Sequence, residues 1–376
     1  MGAIEEPAEP VTWERAASVL ACPQCGGGLR AQTANLTVAC ERCGSTARLR
    51  YGVLDFLHQQ ESVAGALGAE FDLRRDEQVA ARFTDDGAFA ERSLTMLSEE
   101  WRGPTIDELP AAARRGRARY ARWFGSIQPA VGADAGRGII AKAEAASPDG
   151  ELSGAFALEA GCGPGYHAAG LAERFQTVIL LDCSLANLVL AQHVAKQTAT
   201  RRLVFVRANI EQLPLRPDTM DLVHENGVIE HVADPRRMIE EALRVRSGSG
   251  TYICLSPNRL CLTLEPHFRV PLFGLIPQRA RRAIIPLTSG HMSEAGTDLR
   301  TLSELRGYFR AADVAPQIFF LPPHLRATVR QTSARRLILF ALNHEPLRAL
   351  ALLLANRLLL PIAPYHFAIV RPRSAP

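Results

Sequence analysis

The sequence predicts an α/β protein in which a seven-stranded, doubly wound sheet carries helices on both faces, preceded by a small four-cysteine module and a helical cap. Three observations predict it. From residue 154 onward, apolar runs of strand length alternate with segments of helix length. Gly161, Gly163 and Gly165 form a glycine-rich turn between the first of those strands and a helix. Cys22, Cys25, Cys40 and Cys43 near the N-terminus are spaced C-x2-C-x14-C-x2-C.

Taken in order, residues 1–20 read as a polar leader, whose MGAIEEPAEP start lacks the basic and apolar regions of a secretion signal. Residues 21–57 hold the four cysteines among glycines and β-prone runs such as LTVAC. Residues 58–135 turn helical and include Arg114, Arg115, Arg117, Arg119 and Arg122, a connector or cap. Residues 136–153 have weak periodicity and read as a linker. The remainder, 154–376, supplies seven strand candidates: FALEAG, TVILLDC, RLVFVRAN, MDLVHENGV, GTYICLSPN, VAPQIFFLP and YHFAIVRP. Helix-length segments between the first five imply right-handed crossovers and a parallel sheet. Insertions interrupt this domain at about 259–297 and 323–361.

Composition bounds the class. The chain has 376 residues, 47% hydrophobic and 22% charged, which suits a folded protein of more than one unit and excludes a disordered one. A formal net charge of +4 over this length is no field for a dedicated nucleic-acid binder. Lysine occurs only at Lys142 and Lys196, so Schiff-base chemistry has few candidates, and the arginine-rich, alanine-rich usage points to a GC-rich bacterial genome. The longest apolar stretches, near Leu347–Leu360, are broken by Arg348 and Arg357 and fall short of the roughly 20 residues that span a bilayer. A cytoplasmic location is expected, with the eight cysteines as thiols or metal ligands.

The segment LEAGCGPGY places backbone amides and a helix N-terminus where a carboxylate-bearing or anionic ligand can meet them. Its G-x-G-x-G spacing puts Tyr166 where the dinucleotide fingerprint needs a third glycine, which argues against NAD or FAD. The stretch resembles the class I S-adenosylmethionine-dependent methyltransferases, type 11-like, whose first motif reads E/D-x-G-x-G-x-G with Glu159 as its acid. That resemblance implies a Rossmann-like fold and a set of cofactor contacts. Asp182 in VILLDCS, followed by Cys183, would bind both ribose hydroxyls, a diol suited to two carboxylate oxygens. Asn209, with Ile210, stands in RANIEQLPL where the family usually carries an Asp for the adenine amino group. Glu225, Asn226 and Gly227 would lie beside the methionine end. The resemblance runs through LPLRPDTMDLV, ENGVIEHVADP and LSPN, covering roughly residues 152–260.

The cysteine spacing lets each pair sit on a tight knuckle, so four thiolates close a tetrahedron around a structural zinc with no position left for catalysis. VLACPQCGGGL, LTVACERCG and YGVLDFL resemble the zinc-ribbon activators that pair with methyltransferases acting on tRNA and translation factors. Related ribbons also front bacterial large-subunit rRNA guanine methyltransferases. Arg30, Arg42, Arg48 and Arg50 either contact phosphate or form a solvated basic face.

Methyl transfer from a sulfonium is an in-line displacement, so the enzyme's main contribution is holding the acceptor in alignment. A hydroxyl acceptor needs a base, and His231 in the EHV segment is the leading candidate, with a structural role as the alternative. His167, His267 and His291 are weaker candidates for that base and read rather as surface or packing residues, and Cys162, Cys183, Cys254 and Cys261 as small core residues rather than nucleophiles. ENGVIEH replaces the NPPY-type tetrapeptide of enzymes that methylate amino groups, and no Pro-Cys nucleophile is present. PNRLCLTLEPHF and the insertions resemble methyltransferases of bacterial glycan and secondary-metabolite pathways. The expected reaction is therefore methylation, at oxygen, of a small-molecule or glycan acceptor. An rRNA or tRNA substrate is the alternative, and a non-catalytic scaffold or activator is a third reading. The Leu-rich region Ala334–Leu360, edged by Arg335, Arg336, Arg348 and Arg357, reads as a lid element or homodimer interface, with a membrane surface as the alternative.

Overall fold

A computed structural model describes residues 16–32, 37–57, 73–85, 129–145, 151–261, 272–277, 280–281, 298–319, 353–363 and 365–371. The arginines of 114–122, His267, His291, Arg335, Arg336 and Arg348 lie outside the described residues.

The four-cysteine module contributes β1 (Leu29–Gln32), β2 (Thr37–Cys40), β3 (Thr46–Arg50) and β4 (Val53–Asp55). All seven strand candidates of the larger domain form strands: β5 (Gly154–Ala160), β6 (Phe175–Asp182), β7 (Leu203–Arg207), β8 (Met220–Asn226), β9 (Arg246–Pro257), β10 (Gln317–Phe319) and β11 (Tyr365–Val370). The described helices are α1 (Leu73–Asp85), α2 (Pro129–Ala145), α3 (Ala168–Ala172), α4 (Leu185–Gln197), α5 (Pro235–Val245) and α6 (Leu302–Ala311).

The strands make one mixed sheet in the order β1-β2-β3-β4-β7-β6-β5-β8-β9-β11-β10. The run β7 through β9 is parallel, whereas β11 joins β9 and β10 joins β11 in antiparallel register. This is the Rossmann-like, doubly wound arrangement, and its order reverses at β5. The crevice beyond the carboxyl ends of β5 and β8 is therefore where such a fold takes its ligand.

Period-two alternation divides the sheet between two cores. Leu158, Ile179, Leu181, Val223 and Tyr252 face α5 and α6, which insert Met238, Ile239, Ala242, Leu305 and Phe309. Ala157, Val178, Leu180, Leu222 and Ile253 face α2, α3 and α4, which insert Ile139, Ile140, Leu171, Leu188 and Val189. The helix starts are written locally. Asp234 accepts from Arg237 N ahead of Pro235, and Thr301 with Glu304 forms a reciprocal capping box.

Two expectations change. Residues 136–153 hold no plain linker, because α2 runs on to Ala145. Gly136 faces α3 so closely that a Cβ there would overlap His167 O, and Ile139, Ile140 and Ala143 are buried on the same face. The glycine that weakens helix propensity is what lets the two helices approach. The end of the polar leader is also structured: Ala16, Val19 and Leu20 are buried, and Leu20 bridges Leu215.

Of the second insertion, residues 353–362 are helical, with Leu353, Leu354, Leu358 and Leu359 exposed and Leu360 buried. No helix among the described residues is long and apolar enough to cross a membrane.

Candidate functional site

The glycine turn opens directly from β5. Gly161 N and Cys162 N both donate to Leu181 O, at 2.7 and 3.0 Å, which bends the chain sharply back over β6. Gly161, Gly163 and Gly165 all have positive φ, between 51° and 75°, a region that side chains disfavour. A Cβ on Gly161 would overlap Val228, whereas one on Gly163 would meet nothing within 4 Å. The middle glycine thus lines open space at the carboxyl edge of the sheet, a cradle for a ligand that must approach backbone.

Asp182 ends β6 beside this turn. Its Oδ2 accepts from Gly163 N at 2.8 Å and its Oδ1 from Ser184 N at 2.8 Å, so one carboxylate ties the glycine turn to the start of α4. Asn209 follows β7, where its Oδ1 accepts from Glu211 N at 3.0 Å and Ile210 is buried next to it. Cys183 is half-buried and is held through its carbonyl, which accepts from Arg207 Nε at 3.0 Å. Gly161, Gly163, Gly165, Asp182, Cys183, Asn209 and Ile210 accordingly collect at the ends of β5, β6 and β7.

Strand β8 separates the remaining candidates by its alternation. Asn226 lies on the face of α3, with Nδ2 3.3 Å from His167 Nε2. Glu225 lies on the opposite face, wholly buried, its Oε2 accepting from Tyr252 OH at 2.5 Å. Burial pushes the Glu225 carboxyl up to about 8, so it is protonated at neutral pH. His231, in the turn after β8, is one-third exposed with Nε2 3.8 Å from the Glu230 carboxylate.

Residues that sequence reasoning passed over stand close by. His167, read from the sequence as a surface or packing residue, places Nδ1 2.6 Å from Glu159 Oε1. His224, which pairs with Glu159 across β5 and β8, is fully buried, and burial together with His167 and Lys142 holds its pKa well below the usual imidazole value. Cys162, Cys254 and Cys261 are buried as expected, and burial pushes the Cys162 and Cys254 thiols well up, so neither of these two is an activated nucleophile.

Residues 158–254 match the family described as methyltransferase domain. The chain carries a methyltransferase domain. A protein of Mycobacterium tuberculosis (strain ATCC 25618 / H37Rv), named as a probable S-adenosylmethionine-dependent methyltransferase, is 36% identical over 115 residues, 31% of this chain and 39% of that protein. A ubiquinone biosynthesis O-methyltransferase of Aliivibrio fischeri is 32% identical over 109 residues, 29% of this chain and 46% of that one. The chain thus spans under half the length of these relatives. A solved structure of an S-adenosylmethionine-dependent methyltransferase from Mesorhizobium loti superposes with a TM-score of 0.40 at 18% identity, covering 61% of this chain and 94% of that one.

The four-cysteine module is built onto the edge of the methyltransferase domain. Strand β4 pairs in parallel with β7, Leu54 beside Val206 and Asp55 beside Arg207. Ala21 N donates to Pro214 O, and Gln212 Nε2 donates to Pro23 O at 2.6 Å, so the knuckle region grips the loop that begins at Asn209. Arg207, 1% exposed, donates to Asp55, Asp76 and Glu77. Asp76 in turn accepts from Ser184 Oγ, Leu185 N and Ala186 N at the head of α4. One buried guanidinium therefore joins the module, α1, β7 and the Asp182 turn.

The cysteines themselves fit a metal. Cys22 and Cys43 sulfurs are 3.6 Å apart, Cys25 and Cys40 sulfurs 3.5 Å, and all four lie within 4.8 Å of one another. Four thiolates on a tetrahedral zinc, at about 2.3 Å each, would stand about 3.8 Å apart. The Ser45 hydroxyl beside Cys43 draws that thiol down to about 6.

Proposed function

We propose that the protein is an S-adenosylmethionine-dependent methyltransferase acting at an oxygen of a small-molecule or glycan acceptor, with a structural zinc in its four-cysteine ribbon. The observation that carries the cofactor assignment is the open cradle at Gly163, fixed by Asp182 and set at the reversal point of the sheet. The bound donor supplies an electrophilic methyl group on a sulfonium. Asp182 then holds the ribose diol, Asn209 and Ile210 receive the adenine ring, and the Gly161–Gly165 amides approach the amino-acid end. Displacement needs an aligned acceptor and exclusion of water. We assign to His231 the removal of the acceptor's hydroxyl proton, since it is partly exposed at the rim and stands beside Glu230.

Oxygen as the methylated atom is supported by the Aliivibrio fischeri relative, whose name specifies an O-methyltransferase. Against the RNA alternative, two of the arginines offered for phosphate are engaged within the chain: Arg42 donates to Cys25 O and Arg50 is paired with Glu77 and Asp55.

Calorimetric titration with S-adenosylmethionine and S-adenosylhomocysteine tests the reading. Micromolar binding is expected for the wild type and loss in Asp182→Ala, whereas Asp182→Asn keeps an acceptor for Gly163 N and should retain part of the affinity. A folded, zinc-loaded wild type that binds neither compound would move the assignment to a non-catalytic scaffold.

A further inference from the structure

A second cluster of metal-ligating groups lies outside the ribbon. Glu159 on β5 and His224 on β8 are register partners, so their side chains emerge side by side on the face covered by α3. His167, immediately before α3, closes the third side. One donor atom from each lies within 4.8 Å of the other two.

Three features distinguish this group from a satisfied polar core. His224 has no solvent exposure, yet neither ring nitrogen has a hydrogen-bond partner. Glu159 Oε2 is likewise buried without a partner, although Oε1 meets His167. Buried polar atoms are ordinarily paired, and two unpaired imidazole nitrogens of His224 close to an unpaired oxygen of Glu159 imply a missing partner. The two imidazoles also stand with ring centres 5.0 Å apart and planes at 84°. Rings bound to one ion through nitrogens at about 2.1 Å have centres on the order of 5 Å apart. The adjustment that the Glu159–His167 pair requires is small. Glu159 Oε1 and His167 Nδ1 are 2.6 Å apart, and two donors at a right angle around one ion would be about 3.0 Å apart.

We propose that Glu159, His167 and His224 form a binding site for a first-row divalent transition cation. Two neutral imidazoles and one carboxylate suit such an ion and leave coordination positions free. In a methyltransferase those positions would take the acceptor oxygen and ease loss of its proton. That consequence rests on the function proposed above; the site itself does not.

Metal binding is read without donor or acceptor, so its failure is distinguishable from failure of the methyltransferase assignment. Protein with zinc in its ribbon is titrated with Co2+, and bound metals are counted by mass spectrometry after gel filtration. One cobalt per chain beyond the ribbon zinc is expected, with a visible spectrum free of thiolate charge transfer. Both His224→Phe and His167→Asn should weaken cobalt binding by more than about tenfold. No additional equivalent in the wild type, or wild-type affinity in His224→Phe, would overturn the proposal. His224→Phe keeps a buried ring and removes two unpaired nitrogens, so its thermal midpoint should match or exceed that of the wild type. Should it fail to fold, the partly exposed His167→Asn decides alone, and unchanged cobalt affinity there would overturn the site.

Discussion

Replacing Arg207 by methionine tests whether one buried guanidinium holds the four-cysteine module, α1 and the Asp182 turn together. Arg207 lies 3.1 Å from Asp55, 3.0 Å from Asp76 and 3.3 Å from Glu77, with Asp55 and Asp76 both buried. At about 3 Å and an effective dielectric near 20, each buried pair is worth roughly 5 kcal/mol before desolvation is charged against it. Removing one partner of a buried pair commonly costs about 3–5 kcal/mol, because the other charge is left without compensation. Asp76 has a partial escape. Burial already pushes it up to about 6 against the pull of Arg207, so once Arg207 is gone protonating it near pH 7 costs at most about 1.4 kcal/mol. Asp55 keeps its bond from Leu57 N and a more distant Arg50. The expected loss is therefore at the lower end, about 3 kcal/mol, read as a shift in urea midpoint at unchanged slope. Affinity for S-adenosylmethionine should fall with it, since the Cys183 carbonyl and the head of α4 lose their anchor. Destabilisation below about 1 kcal/mol, with cofactor affinity intact, would refute the idea that this cluster joins the two parts.

Three further outcomes follow from the same geometry. Glu225, raised from 4.5 to about 8 by burial, keeps its proton in the fold but loses it when unfolded; stability should fall as pH rises from about 4.5 to about 8, by at most about 5 kcal/mol. Glu225→Gln should remove that slope in urea titrations at about pH 5 and about pH 8. Gly161→Ala combines positive φ with overlap on Val228 and should cost about 2–4 kcal/mol, while Gly163→Ala meets open space, should cost only about 1–2 kcal/mol, and should weaken cofactor binding instead. Chelating the zinc proposed for the four-cysteine module, or Cys25→Ser, should raise amide hydrogen exchange around Leu20 and at Leu213–Arg216 and lower cofactor affinity, because the Ala21–Pro214 and Pro23–Gln212 bonds lose their support.

The strands were legible because each is a short apolar run bounded by helix-length segments, a pattern that burial on both faces of a parallel sheet imposes on its own residues. The cysteine spacing was legible for a related reason: two knuckles and a tetrahedron are local requirements. Helix α2 was read as connector and linker because its glycines lower propensity, yet Gly136, Ile139, Ile140 and Ala143 fall at helical spacing, and that stripe was the available signal. His224 gave no such signal, since within MDLVHENGV it occupies one more alternating strand position. Its significance comes from standing opposite Glu159.

By itself the sequence determined the seven strands, the glycine turn with Asp182 beside it, and a four-cysteine set spaced for one metal. These are properties of neighbouring residues, whose chemistry is set by spacing along the chain. Only the tertiary structure decided that the cysteine module continues the sheet through β4 and β7. It alone brought Asp76 and Arg207 together across 131 positions, and Glu159 beside His224 across 65 by pairing β5 with β8. Contacts at such separation carry no local pattern; they follow from strand order and burial, and they place the charges and unpaired donors on which the proposed chemistry depends.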